Sequence, residues 1–143
     1  MSRIISRNEH GPGVLSLVFA AALAVAACLG CSKRYAHKSL AAGSAERMRI
    51  AQLLAAVRQA GPAGLDAVIA RDAIAELDLA DRQRLTGSLS ALAKADRADL
   101  IKADRFGRDI CRATFQVASG AQVRSISILL KGEAAQLRWL QPN

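Results

Sequence analysis

Histidine is almost missing from this chain: His10 and His37 are the two in 143 residues. That leaves little from which to build a Ser-His-Asp or Cys-His relay, and no cluster of imidazoles for a metal. Aromatic residues are 3% of the chain, so any core must pack with Leu, Ile, Val and Ala. The same shortage removes the stacking surfaces on which single-stranded nucleic acid is held. No Gly-rich phosphate loop follows a strand pattern, and neither an H-E-x-x-H helix nor an EF-hand loop occurs. These absences argue against an enzyme, a metal, a cofactor and a nucleic-acid partner alike.

What the chain does have is apolar residues, 52% of the total, and a formal net charge of +8. Its length suits one domain. The basic residues are interspersed with acids rather than clustered, the pattern of a solvated surface. Asp96, Asp99, Asp104 and Asp109 recur at short intervals, each close to Arg97, Lys102, Arg105 or Arg108, and read as surface charge balancing, with a metal or acid/base role as the alternative.

The chain is organised around Val14 to Cys31, VLSLVFAAALAVAACLGC, which carries no charge. Arg3, Arg7 and the amino terminus precede it as a positive leader, and Gly11-Pro12-Gly13 breaks structure before it. The apolar part, Val14 to Ala27, has the length of a signal-peptide core, whereas a comfortable membrane span needs about 20 residues. Ala26 and Ala27 at its end are small enough for a signal peptidase.

Val25-Ala26-Ala27-Cys28 resembles the bacterial lipoprotein signal: an aliphatic residue, two small residues and a Cys. The resemblance implies cleavage between Ala27 and Cys28, a diacylglyceryl thioether on Cys28, and acylation of its new amino group, palmitate being the usual chain. Two or three acyl chains anchor a protein stably where one does not. Leu29 stands where that family's inner-membrane retention signal has Asp. The resemblance therefore implies the outer membrane, facing the periplasm, with the inner membrane as the alternative. Two other readings of the stretch stay open, an uncleaved membrane helix extending to Gly30 and simple secretion. Lys33, Arg34 and Lys38 on the distal side favour the first of these.

The domain organisation follows: 1–27 a signal peptide, 28–43 a lipidated tether, 44–143 one folded domain. The tether, CLGCSKRYAHKSLAAG, has no sustained periodicity. Cys28 and Cys31 form a C-x-x-C pair, but no second pair or histidine cluster completes a zinc site. Cys111 reads as a small buried hydrophobe in a strand, and a Cys31–Cys111 disulfide is chemically open in an oxidising compartment.

Ser44 is a candidate N-cap for a helix running to about Ala60, in which Ile50, Leu53, Leu54 and Val57 form one stripe. Gly61-Pro62 ends it. A second helical stretch begins at Ala63, with Leu65, Val68 and Ile69 on one face. The stretch Arg71 to Leu79, with Ile74 and Leu77, reads as its continuation, straight or kinked. Asp78 or Asp81 caps a third helix that aligns Leu85, Leu89 and Leu92. From about Ala98 the period changes. Cys111, Ala113, Phe115 and Val117 alternate with Arg112, Thr114 and Gln116, as in a half-buried strand. Ser119-Gly120 turns into a second strand with Ile126, Ile128 and Leu130 on one face. Lys131-Gly132-Glu133 turns again into a third, where Ala135, Leu137 and Trp139 alternate; residues 98–106 supply a fourth at the start. The expected fold is α+β: two to three N-terminal helices packed on a three- to four-stranded antiparallel meander.

Ile128-Leu129-Leu130-Lys131-Gly132-Glu133 followed by Leu137-Arg138-Trp139-Leu140 is similar to the closing hairpin of small lipoproteins with a nuclear-transport-factor-like or cystatin-like cone fold. That resemblance implies helices ahead of a curved sheet and, in many such folds, an enclosed apolar cavity. A second lipoprotein group, the small outer-membrane-assembly factors, shares the order of elements, but its Leu-Gly-x-Pro helix ending is missing here. Trp139, Phe115 and Leu137 are the candidate ligand or partner surface, with core packing as the alternative for each. The expected function is an envelope lipoprotein that acts as a structural or protein-interaction module. The alternative is a carrier or sensor of a small apolar ligand, which requires a cavity of roughly 300 Å³ or more between helices and sheet.

Overall fold

In the computed structural model of the chain, residues 37–143 are described. The signal-like stretch, Ala27, Cys28 and Cys31 lie outside them.

Helix α1, Ala45–Ala60, starts where the Ser44 hydroxyl accepts a hydrogen bond from the Arg47 backbone N–H at 3.3 Å. Such a cap satisfies one of the free donors of the first turn. Glu46 in the first turn and Arg58 in the last oppose the helix dipole. Ile50, Leu53, Leu54 and Val57 are the buried stripe that their spacing predicts. Gly61, at φ 62°, ends the helix with its N–H on the Val57 carbonyl, and a 3-10 turn, Pro62–Gly64, leads into helix α2, Leu65–Asp72. Helix α3, Leu79–Lys94, is capped by Asp78, whose Oδ1 accepts from the Asp81 N–H at 2.7 Å. Arg58 of α1 then reaches the other end of α3, donating to the carbonyls of Leu92, Ala95 and Asp96 at 3.2–3.3 Å. Those donations satisfy acceptors that the last turn leaves free and tie the two helices together.

Helix α2 stops at Asp72, short of the continuation to Leu79 that the apolar positions suggest. A tertiary contact overrides the local pattern. The Ile74 N–H donates to the Trp139 carbonyl at 2.9 Å, and Ala73 forms a parallel bridge with Trp139. The chain after α2 is thus committed to a sheet edge and cannot stay helical.

The sheet has five antiparallel strands in sequence order: β1 His37–Ser39, β2 Arg97–Phe106, β3 Ile110–Ser119, β4 Gln122–Lys131 and β5 Arg138–Pro142. This corrects the expectation of three to four strands. It also corrects the expectation that helices come first, since β1 precedes α1. Strand β1 has only three residues and no alternation to betray it. It is held by pairing with the far end of β2, His37 opposite Phe106 and Ser39 opposite Asp104, and by the Leu40 N–H on the Ala103 carbonyl at 2.9 Å. Residues 37–39, assigned to the tether by sequence, therefore belong to the sheet in this structure.

One face of the sheet carries Ala103, Cys111, Ala113, Phe115, Val117, Ile128, Leu130 and Trp139, all essentially buried, and the helices cover it with Leu53, Leu85, Leu89 and Leu92. The rings of Phe115 and Trp139 lie 6.3 Å apart at 57° within this layer. Alternation sends Asp104, Arg112, Thr114 and Ser127 to the opposite, outer face, where the Thr114 and Ser127 hydroxyls are 3.0 Å apart. Among the described residues no helix is long and apolar enough to cross a membrane.

Candidate functional site

Two groups of polar side chains stand out, one at each end of the sheet order. The first is centred on Asp104. Its register partner in β3 is Arg112 and its partner in β1 is Ser39, so β2 holds it between two strands on the outer face. Its side chain has no solvent exposure, which contradicts the expectation of a surface charge balancer. Oδ2 receives His37 Nε2 at 3.2 Å, Lys102 Nζ at 3.3 Å and Arg112 Nη2 at 3.3 Å, while Oδ1 has no partner in the protein. Phe106 completes the group: the His37 ring meets it edge-on at 5.1 Å, and the Arg112 guanidinium lies over it at 4.9 Å. Burial pushes the Asp104 carboxyl up. Hydrogen bonds from Lys102, Arg112 and His37, with the charge of His37, outweigh it and hold the carboxyl below its ordinary value.

His37 beside Asp104 is the imidazole–carboxylate half of a catalytic relay, which needs a nucleophile on the other ring nitrogen. Among the described residues no hydroxyl or thiol is hydrogen-bonded to His37. The buried thiol, Cys111, faces the core, and burial pushes its pKa up. The contact of His37 with Asp104 ties β1 to β2.

The second group surrounds an open cleft of about 630 Å³ lined by Arg49, Ile74, Lys131, Gly132, Ala135, Gln136 and Arg138. The turn after β4 creates it. Gly132 has φ 127°, and a Cβ there would stand 2.6 Å from the Gln136 carbonyl oxygen, so only glycine lets the chain fold back this closely. The 3-10 turn Ala134–Gln136 then packs beside α1 and sets Arg49 next to the β4–β5 end. Arg49 donates through Nε to the Leu137 carbonyl at 3.4 Å and through Nη2 to Asp72 at 3.3 Å. Asp72 is also bound by Arg71 at 3.0 Å.

Of the residues singled out by sequence, Trp139, Phe115 and Leu137 have no solvent exposure. They are core, and no binding surface is made of their side chains. Trp139 and Phe115 share the helix-facing layer, whereas Leu137 meets the basic cleft only through its carbonyl. Cys28 and Ala27 lie outside the described residues. Sequence reasoning gives Asp104 only as surface charge balancing, and it misses the cleft. The signal for Asp104 was Lys102 and Asp104 at strand spacing, but nothing local placed Arg112 and His37 across from them. Comparison with family models, curated proteins and solved structures finds no match for the chain.

Proposed function

We propose that the chain is an envelope lipoprotein, acylated at Cys28 and held at the periplasmic face of the outer membrane, where its α+β domain serves as a structural or protein-interaction module. The observation that carries this reading is Val25-Ala26-Ala27-Cys28 at the end of a signal-length apolar run. The choice of an interaction module over a carrier rests on the core. Phe115, Trp139, Ile128, Leu130 and Leu89 fill the space between helices and sheet, the place where a cone-shaped carrier is hollow. The clefts lined by Arg49, Arg84 and Arg105 instead lie open to solvent at the surface and are not enclosed between helices and sheet.

Mass spectrometry of the amino-terminal peptide tests the anchor. The expected result is a chain beginning at acylated Cys28, with Cys28→Ser leaving the membrane fraction. An intact, unmodified Met1 terminus refutes it. Density-gradient separation of the membranes distinguishes outer from inner membrane. Crosslinking in intact cells followed by purification from solubilised membranes tests the module, and repeated recovery of the protein alone refutes that part of the reading.

A further inference from the structure

The cleft beside β5 has a charge arrangement that the fold itself does not need. Lys131 and Arg138 are direct cross-strand partners on β4 and β5. Like charges in that relation repel and cost stability. Among the described residues neither has a carboxylate within ion-pair distance. Glu133, the acid nearest to them in sequence, lines a different cleft with Glu46, Arg105 and Arg108. Arg49, the third cation, is three-quarters buried and fixed from two sides, by the Leu137 carbonyl and by Asp72. Its second terminal nitrogen makes no hydrogen bond within the protein. Asp72 cannot neutralise the cleft, because it is shared with Arg71.

We propose that this cleft, between α1 and the β4–β5 end of the sheet, binds a phosphate group. Two cations without a protein counter-charge match the roughly −2 charge of a phosphate monoester, and a diester needs fewer. A guanidinium fork gives paired hydrogen bonds to phosphate oxygens, and an ammonium adds a point charge. The donors come from two elements, α1 on one side and the paired strands on the other. That suits a tetrahedral anion, which offers acceptors in several directions, better than a planar carboxylate. Ile74 and Ala135 give the remaining wall an apolar surface on which the organic part of an ester can rest. The phosphate belongs either to a soluble ester or to a phospholipid headgroup, and the chemistry of the cleft is the same for both. The inference stands independently of acylation at Cys28, since all its residues lie within the described domain.

The test uses the full chain in neutral detergent, titrated with inorganic phosphate and followed by calorimetry. A second arm places it in phosphatidylcholine nanodiscs with and without phosphatidylglycerol, with hydrogen exchange read at residues 131–138. Saturable phosphate binding, weakened about tenfold or more in Lys131→Ala/Arg138→Ala and regained in Lys131→Arg/Arg138→Lys, supports the site. Protection of residues 131–138 by phosphatidylglycerol, lost in the same double variant, supports it with a lipid as the source. Arg124→Ala, a cation on the far part of β4, serves as control and is expected to change neither. Absence of effect in both arms, or equal weakening by Arg124→Ala, overturns the proposal.

Discussion

Replacing Asp104 with Asn removes one charge and almost no volume, and it isolates what the carboxylate does for β1. In the native protein Oδ2 faces three donors at 3.2–3.3 Å. The carboxylate itself is covered, but its partners are not: His37, Lys102 and Arg112 retain 43%, 52% and 30% of their side-chain exposure. Screening by solvent therefore brings the Lys102 and Arg112 pairs toward the 0.2–1 kcal/mol of exposed ion pairs, and with a hydrogen bond from His37 the group gives about 1–3 kcal/mol. Breaking a fully buried pair would cost more, about 3–5 kcal/mol, because it strands a charge away from water. Here the cations can hydrate where they stand.

The pH dependence separates this account from simple packing. The Asp104 carboxyl is held below its ordinary value of 3.8. Its stabilisation is therefore complete above the unfolded-state pKa and disappears as pH falls through the folded one. Urea denaturation followed by the fluorescence of Trp139, the single Trp of the chain, reads global stability. Asp104→Asn is expected to lose about 2 kcal/mol at pH 7, within the range above, with an unchanged m-value. The gap to wild type should narrow on acidification through the carboxylate range. Hydrogen exchange at the Leu40 N–H, bonded to Ala103, should speed up in the variant, since Leu40 directly follows β1. A loss below about 0.5 kcal/mol, the ordinary range for surface substitutions, or a loss independent of pH between 3 and 7 as roughly set by carboxylate titration, refutes the reasoning.

Other expectations follow from packing and backbone. Phe115→Ala empties the centre of the helix-facing layer, next to Trp139, and is expected to cost about 3–5 kcal/mol by the same denaturation assay. Retention of stability within 1 kcal/mol or so would mean that the layer is not close-packed and would reopen the carrier reading. Gly132→Ala meets the Gln136 carbonyl oxygen and a φ of 127°, and should destabilise by at least about 1 kcal/mol. Gly87→Ala, in open space on the exposed side of α3, should instead stabilise by up to about 1 kcal/mol, measured in parallel by thermal melting.

The parts of this domain that were legible in sequence are those where a local period decides the structure. The stripe Ile50, Leu53, Leu54 and Val57 gives α1, and the alternation Cys111, Ala113, Phe115 and Val117 gives β3, each with its buried face correct. Strand β1 was not legible, because three residues carry no period and their pairing is supplied by the Asp104–Phe106 end of β2, more than sixty positions on. Helix α2 ran too long for a related reason: Ile74 keeps helical spacing, yet its N–H is taken by the Trp139 carbonyl. The candidate surface of Trp139, Phe115 and Leu137 became core because alternation shows which residues share a face but not which layer will cover it.

The same limit explains where function has to be sought. An antiparallel sheet with one face covered by helices buries its alternating apolar residues on that face and turns mostly polar side chains to the other. In this domain that polar surface is uneven. At the β1 end, cations converge on a buried carboxylate and the charges are spent on holding a strand. At the β5 end, Lys131 and Arg138 face each other without an acid, and Arg49 is fixed beside them by the backbone it helps to close. Substituting Asp104 should therefore register in stability, whereas substituting Lys131 and Arg138 should leave stability intact, or raise it by relieving their repulsion, while abolishing anion binding. A loss of stability at the second pair comparable to that at Asp104 would mean that both groups are structural.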